Sequence, residues 1–205
     1  MKRILKHSAG SYAGIFGVGL LIGLLCRLLD LCPADTLWSF SSPQTLFGFW
    51  IITNTVIVMV STSHVCAGLS SFLYMFGMAL SFYGTQPLLG AFFPVFDNGF
   101  KTSLFLLYAI LAVPCGVAAF ILYDWNRDHI FNSVLYALPI GALASEAVAV
   151  AIYFWARHTF LFQLSMDLVG ALAFFLLFLP RAKSKWLYVA ACLVSTLVFY
   201  WVFPW

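Results

Sequence analysis

The sequence predicts an all-α membrane protein, a polytopic helical bundle of about seven transmembrane helices with the N-terminus inside and the C-terminus outside. Asp, Glu, Lys and Arg make up only 8% of the 205 residues, and 63% are apolar; a water-soluble domain carries about a quarter charged residues. Apolar stretches of about 20 residues, the length that crosses a bilayer, recur along the chain. The length therefore allows a single transmembrane bundle over 1–205 and no separate soluble domain.

The predicted spans follow the apolar stretches in order. They cover residues 8–31, 45–62, 65–83, 102–123, 131–154, 159–180 and 185–203. The first span follows Lys2, Arg3 and Lys6, as the apolar region of a signal peptide would, but it is too long for one and no small-residue cleavage site follows. We interpret it as a retained span. The second and third spans share 45–83, which is too long for one tilted helix and divides at the polar group 61–64.

The longest connection between predicted spans is residues 84–101. Its turn formers include Pro87 and Gly99, yet it also carries apolar side chains such as Leu88 and Phe92. Two interpretations stay open. The segment either folds over the bundle as a re-entrant or interfacial element, or rests on the membrane surface as an apolar loop.

Basic residues in short loops predict the orientation, because cytoplasmic loops of membrane proteins carry an excess of Lys and Arg. With the N-terminus inside, the inner side holds seven basic residues: Lys2, Arg3, Lys6, Arg127, Arg181, Lys183 and Lys185. The outer side holds three: Arg27, Lys101 and Arg157. The formal net charge of +3 thus follows from membrane topology, and we expect no nucleic-acid partner.

Two acidic residues lie at membrane depth, where a charged group costs about 2.5–3.5 kcal/mol on insertion scales. Glu146 lies about eight residues from the outer end of the fifth span, roughly 12 Å deep, and Asp167 lies at a similar depth in the sixth. These spans form a hairpin, so the two carboxylates can share one level. Because two close carboxylates cannot both ionise cheaply, a proton or cation would then be held between them. Alternatively, each acid faces a different helix and is hydrogen-bonded there.

Further polar residues fall near the same level in the outer half of the bilayer. Asn54 shares a helical stripe with Trp50, and Gln163 lies one turn before Asp167. For Asn54, a structural hydrogen bond between helices is the simpler alternative. These residues predict an outward-facing pocket with a carboxylate floor and an aromatic rim that includes Trp50 and Tyr153. Such a pocket would suit a small cation or an amine-bearing molecule.

Arg27 lies near the outer end of the first span. It can pair with Asp30 three residues later and reach the headgroups. The alternative is that it turns inward towards the two buried acids.

Small residues predict which helices pack closely, since helices in lipid associate through them. The first span carries Gly19 and Gly23 four residues apart, and the fifth carries a stripe that includes Ala137, Gly141 and Ser145. We therefore expect the first and fifth spans to be central and the seventh to face lipid.

The signatures of the common enzyme and cofactor sites are missing from the sequence. It contains no Walker A sequence, no G-x-G-x-x-G and no H-E-x-x-H. The five cysteines are scattered without metal-ligand spacing. We expect no catalytic residue, no metal site, no cofactor and no disulfide framework.

Several segments carry a resemblance to known proteins. They are Arg27–Asp30, Asp35–Phe40, Phe47–Trp50, Asn132–Pro139 and Glu146. In these segments the chain resembles a family of uncharacterised small multi-pass membrane proteins of Gram-positive bacteria. The resemblance implies a location in a bacterial plasma membrane, and it implies no particular activity. In size it also resembles the substrate-capture subunits of energy-coupling-factor transporters, which have six spans.

These observations lead to one functional expectation and two alternatives. We expect a plasma-membrane protein, in contact with the lipid bilayer, that binds or transports a small solute through the pocket. The first alternative is a non-transporting subunit or immunity-type factor that acts by helix contacts with a partner, such as a membrane or ATPase subunit. The second, an intramembrane enzyme, is disfavoured because no nucleophile–base pair is found.

Overall fold

The computed structural model describes residues 4–41, 46–92 and 99–203, and regular structure in these ranges is helical. The long helices are α1 (Ala9–Leu29), α3 (His64–Gly84), α5 (Thr102–Leu122), α6 (Asn132–Arg157), α7 (Leu161–Phe178) and α8 (Lys185–Val202). The short ones are α2 (Gly48–Val60) and α4 (Gln86–Gly90). The six long helices are long and apolar enough to cross a membrane. The prediction of an all-α membrane bundle is confirmed.

The second predicted span differs in length from its helix. The prediction covered 45–62, whereas α2 has 13 residues, or about 20 Å at 1.5 Å per residue. The hydrocarbon core of a bilayer is about 30 Å thick, so α2 is too short to cross it alone. The predicted polar division lies where α2 ends and α3 begins, and there Ser63 accepts a hydrogen bond from the backbone N–H of Cys66 as the N-cap of α3.

The chain divides into two compact units. Unit 1 comprises Met1–Leu31 and Val56–Tyr123, and unit 2 comprises Cys32–Thr55 and Asp124–Trp205. The first eight residues of α2 belong to unit 2 and the last five to unit 1.

In unit 1, α3 packs against both α1 and α5. The contact with α1 is close because two glycines of α1 lie against the α3 backbone. A Cβ atom on Gly19 would lie 2.3 Å from the Tyr74 carbonyl oxygen, and one on Gly23 would lie 2.2 Å from that of Met78. The helix between the other two is therefore α3, and not the first span as the small residues predicted.

In unit 2, α6 packs against α7 and α8. Gly141 of α6 faces Ser195 of α8, whose hydroxyl donates to the Ala137 carbonyl oxygen at 3.4 Å. The fifth predicted span is central in its unit, as expected. The opposite side of α8 is exposed and apolar, with Leu193 and Leu197 among its residues, and such a face suits contact with lipid.

The connection predicted over 84–101 begins with α4, which continues from α3 after Thr85. Gln86 is buried there, whereas Leu88 and Phe92 are exposed. The central part of the connection, 93–98, lies outside the described residues, so the choice between a re-entrant segment and a surface loop stays open.

Candidate functional site: a buried carboxylate–amide cluster

Two helices of unit 2 bring together a cluster of three polar side chains, Glu146 of α6 with Gln163 and Asp167 of α7. All three are fully buried, at 0% exposure. The turn that joins the helices is tight, and His158 and Phe160 both adopt left-handed backbone conformations in it. Because few non-glycine residues adopt this conformation, the packing of the two helices must hold the turn in place.

The amide of Gln163 bridges the two acids. Its Nε2 atom donates to Glu146 Oε1 at 3.1 Å and to the two oxygens of Asp167 at 3.1 and 3.2 Å. Oxygens that share one donor at these distances lie at most about 6 Å apart. The predicted pairing of Glu146 and Asp167 at one level is therefore present, with Gln163 between them.

The beginning of α2 forms a further wall of the cluster. A Cβ atom on Gly48 would lie 1.8 Å from Asp167 Oδ1 and 2.8 Å from Gln163 Nε2, so the α2 backbone is in direct contact with these side chains. The backbone N–H groups of Phe47 and Gly48 approach the Glu146 carboxyl group. Since a helix N-terminus carries about half a positive charge, α2 stabilises negative charge on the cluster.

The cluster has no basic partner on the helices of its own unit. Helix α2 has no charged residue, and α7 has none besides Asp167. The basic residues of α6 and α8 are Arg157 at the last position of α6 and Lys185 at the first of α8. Among these helices, the α2 N-terminus is therefore the one source of positive charge near Glu146 and Asp167. Any further compensation of their negative charge has to come from a proton or a bound cation.

Two oxygen atoms of the cluster have no well-placed donor, although the N–H groups of Phe47 and Gly48 approach the Glu146 carboxyl group. Glu146 Oε2 and Gln163 Oε1 are buried and receive no hydrogen bond of normal geometry from the described part of the chain. Buried polar groups are normally satisfied, so such atoms call for an explanation. Both are acceptors, and what would satisfy them is a proton, a cation or another hydrogen-bond donor.

The segment before α2 covers the beginning of α7. The backbone N–H of Leu161 donates to the Leu37 carbonyl oxygen at 2.9 Å, and that of Phe160 donates to Ser39 Oγ at 3.2 Å. These contacts occupy N–H groups that a helix start otherwise leaves without partners. Asp167 lies six residues into α7, about 9 Å from this covered end.

The other predicted site residues have different surroundings. Asn54 Nδ2 donates to the Trp50 carbonyl oxygen within α2 at 2.8 Å. Trp50 is buried, with its ring edge-on to Phe47, and is not an exposed rim residue as the sequence suggested. Tyr153 is exposed and touches Phe160.

Arg27 belongs to unit 1. Its Nη1 atom pairs with Asp30 Oδ2 at 2.8 Å, and its guanidinium group lies 5.0 Å from the centre of the Phe82 ring. The ion pair three residues apart is the first of the two arrangements that the sequence allowed.

Sequence reasoning did not single out Gly48 and Phe47 as parts of the site. A glycine at the start of a helix permits close approach of the backbone to another group, and this signal was present at Gly48. What it approaches depends on how α2 packs against α7, which no local pattern specifies.

Comparisons with family models, with curated proteins and with solved structures found no match to this chain. Within the described residues there is also no group of three or more His, Cys, Asp or Glu side chains that could hold a metal ion.

Proposed function

We propose that this protein binds a small cation or an amine-bearing molecule at the cluster of Glu146, Gln163 and Asp167, and moves it across the plasma membrane of a bacterium. The observation that carries the proposal is the pair of carboxylates bridged by one amide inside helices of transmembrane length. The only basic side chains on the helices of their unit are at the last position of α6 and the first position of α8. Ionisable residues in membrane helices are costly and mark ion or substrate pathways.

The short helix α2 supports a role in transport. Secondary transporters place the ends of discontinuous helices near the bilayer midplane, where they form the substrate and ion sites. Helix α2 is shorter than a span. Its first residue, Gly48, touches the carboxylate of Asp167, which lies about 9 Å along α7 from the beginning of that helix. Its N-terminus therefore begins at the level of the acids instead of at the end of the neighbouring helix.

Binding can be tested by thermal unfolding of the full-length protein in detergent, with alkali chlorides and with small amines. We expect at least one of them to raise the unfolding temperature of the wild type and to lose this effect in Glu146→Gln. Asp35→Asn is a matched control, because it also removes one carboxylate but at an exposed position outside the helices. If no cation or amine distinguishes Glu146→Gln from the control, the proposal is wrong.

A second candidate function is contact with a partner subunit in the membrane, for which the first half of α1 provides the observation. Within unit 1, no described atom lies within 4 Å of a Cβ position built on Gly10, Gly14 or Gly17. Small residues on a membrane helix allow another helix to approach closely. In this case Gly14→Leu would abolish co-purification of a membrane or ATPase partner, whereas Glu146→Gln would leave it unchanged.

A further inference from the structure

We propose that the ligand of the cluster is an inorganic monovalent cation, held by carboxylate oxygens of Glu146 and Asp167 together with the amide oxygen of Gln163. This inference rests on the proposed function and narrows it, since it excludes the organic amine. It follows from three independent properties of the cluster: its size, its charge and its unsatisfied acceptors.

The size of the cluster favours a single ion. The three side chains are fully buried, and Gln163 Nε2 lies within hydrogen-bond distance of both acids, at 3.1–3.2 Å. On the side of α2 there is no space even for a methyl group, because a Cβ atom on Gly48 would lie 1.8 Å from Asp167 Oδ1. An organic amine adds several heavy atoms beyond its nitrogen, and a bare ion adds one.

The charge of the cluster favours a bound cation. Two ionised carboxylates carry two negative charges, and the α2 N-terminus offsets about half a charge. One monovalent cation leaves about half a negative charge and one divalent cation about half a positive charge, so either lowers the net charge in a medium where charge is costly. The number of acidic ligands favours the monovalent ion, because the described residues contain no group of three or more His, Cys, Asp or Glu side chains that could hold a metal ion.

The unsatisfied acceptors show how the ion would be held. Gln163 Oε1 is buried and receives no hydrogen bond of normal geometry from the described residues, and the same is true of Glu146 Oε2. The amide of Gln163 carries a donor on one side and an acceptor on the other. In the present arrangement its N–H₂ group lies between the acids; when the side chain turns, Oε1 takes that place and joins the carboxylates as a ligand of the cation.

The experiment compares ions with an organic cation on the full-length protein in detergent. Sodium, lithium and potassium chloride are each titrated at constant ionic strength with choline chloride as the replacement salt, and ethanolamine is titrated in parallel. We expect one alkali cation to raise the unfolding temperature in a saturable way by about 5 °C. Glu146→Gln should raise the concentration for half of this effect at least tenfold, and Asp35→Asn should leave it unchanged.

Each contrary result has a defined meaning. If ethanolamine stabilises the protein through Glu146 and no alkali cation does, the present inference is overturned and the proposed function stands. If neither has an effect that depends on Glu146, both are overturned. Should Glu146→Gln fail to fold, Asp167→Asn replaces it, and calorimetric titration of the wild type with the three alkali chlorides provides a second measurement. Absence of saturable heat with all three would overturn the inference.

Discussion

At the scale of single residues, the cluster in unit 2 depends on hydrogen bonds that its two carboxylates receive from an amide and on the approach of the α2 backbone. Two buried carboxylates repel one another when both are charged, and the Gln163 amide donates to both. Gly48 is the residue that lets the α2 backbone come close enough to add its N–H groups. The cluster therefore depends on a residue without a side chain as much as on its polar members.

Gly48→Ala tests this dependence. The added Cβ atom would meet Asp167 Oδ1 at 1.8 Å, and Asp167 is buried and bonded to Gln163, so the carboxyl group or α2 must shift. We expect a loss of about 1–3 kcal/mol in stability, as for overpacked cores, measured by thermal unfolding in detergent.

The control for this substitution is Gly84→Ala at the end of α3, where nothing lies within 4 Å of the new atom. It should be neutral or slightly stabilising. Equal unfolding temperatures for Gly48→Ala and Gly84→Ala would contradict the close contact between α2 and the cluster.

At the scale of elements, glycines determine how closely the helices pack. Gly19 and Gly23 lie against the backbone of α3. The contact between α3 and α5 is reciprocal, because a Cβ atom on Gly68 or on Gly116 would lie 3.0 Å from the carbonyl oxygen of the other. Helices in lipid gain little from burying apolar surface, so this close packing is a main source of their association.

Gly23→Ala should therefore destabilise unit 1. Its Cβ atom would lie 2.2 Å from the Met78 carbonyl oxygen and 3.0 Å from the Met78 Cα atom, and neither backbone atom can move without shifting α3. We expect a loss of about 1–3 kcal/mol in a thermal unfolding measurement. Gly14→Ala, on the same helix but in open space, is the matched control and should unfold near the wild-type temperature.

The connection between α7 and α8 is tied to the connection before α6 and to the first turn of α6. The Lys183 ammonium group pairs with Asp128 at 2.9 Å, and the backbone N–H of Ser184 donates to Ser133 Oγ at 3.0 Å. The hydrogen bond from Lys183 and its charge lower the pKa of the exposed Asp128 carboxyl group. The ion pair therefore stabilises the folded state above the ordinary carboxyl pKa of about 4, and this contribution is lost as the pH falls through the lowered folded-state value.

Asp128→Asn should accordingly reduce the decrease in stability on acidification below about pH 4, with a small effect because the pair is exposed to solvent. Thermal unfolding between neutral and acidic pH at low salt measures it. The difference between wild type and variant should shrink in high salt, because salt screens exposed pairs. A difference that salt leaves unchanged would point to another cause.

At the scale of the whole molecule, six helices have the length and composition of membrane spans, and α2 is shorter. Lys and Arg are concentrated in the connections assigned to the inner side, which predicts an internal N-terminus. Ile4, just before α1, is 70% exposed, and Asp35, just after it, is also exposed. These positions report on opposite ends of the same helix.

Cysteine labelling in intact cells tests the orientation. In a Cys32→Ser background, which leaves the cysteines that lie within long helices, we expect a membrane-impermeant maleimide to label Asp35→Cys from outside. Ile4→Cys should react only after the membrane is permeabilised. The reverse labelling pattern would place the N-terminus outside. The cluster would then be reached from the opposite side of the membrane to the one predicted.

Much of this architecture could be predicted from local patterns. Apolar stretches of the right length are visible without knowing how helices pack, and Glu146 and Asp167 stand out because charge at membrane depth is rare. The rotation of each helix about its axis is a different matter. It places Gln163 between the acids and Trp50 in the interior, and it depends on contacts between side chains far apart in the chain.

The sequence by itself determined the class of the protein and the position of its two acidic residues along their helices, because composition and distance along a helix depend only on the order of residues. The tertiary structure alone decided that α3 lies between its neighbours, that α2 stops short of a full span, and that its first glycine touches Asp167. These features arise from which helices meet and at what rotation, and the packing energies that choose among rotations are sums over many distant contacts.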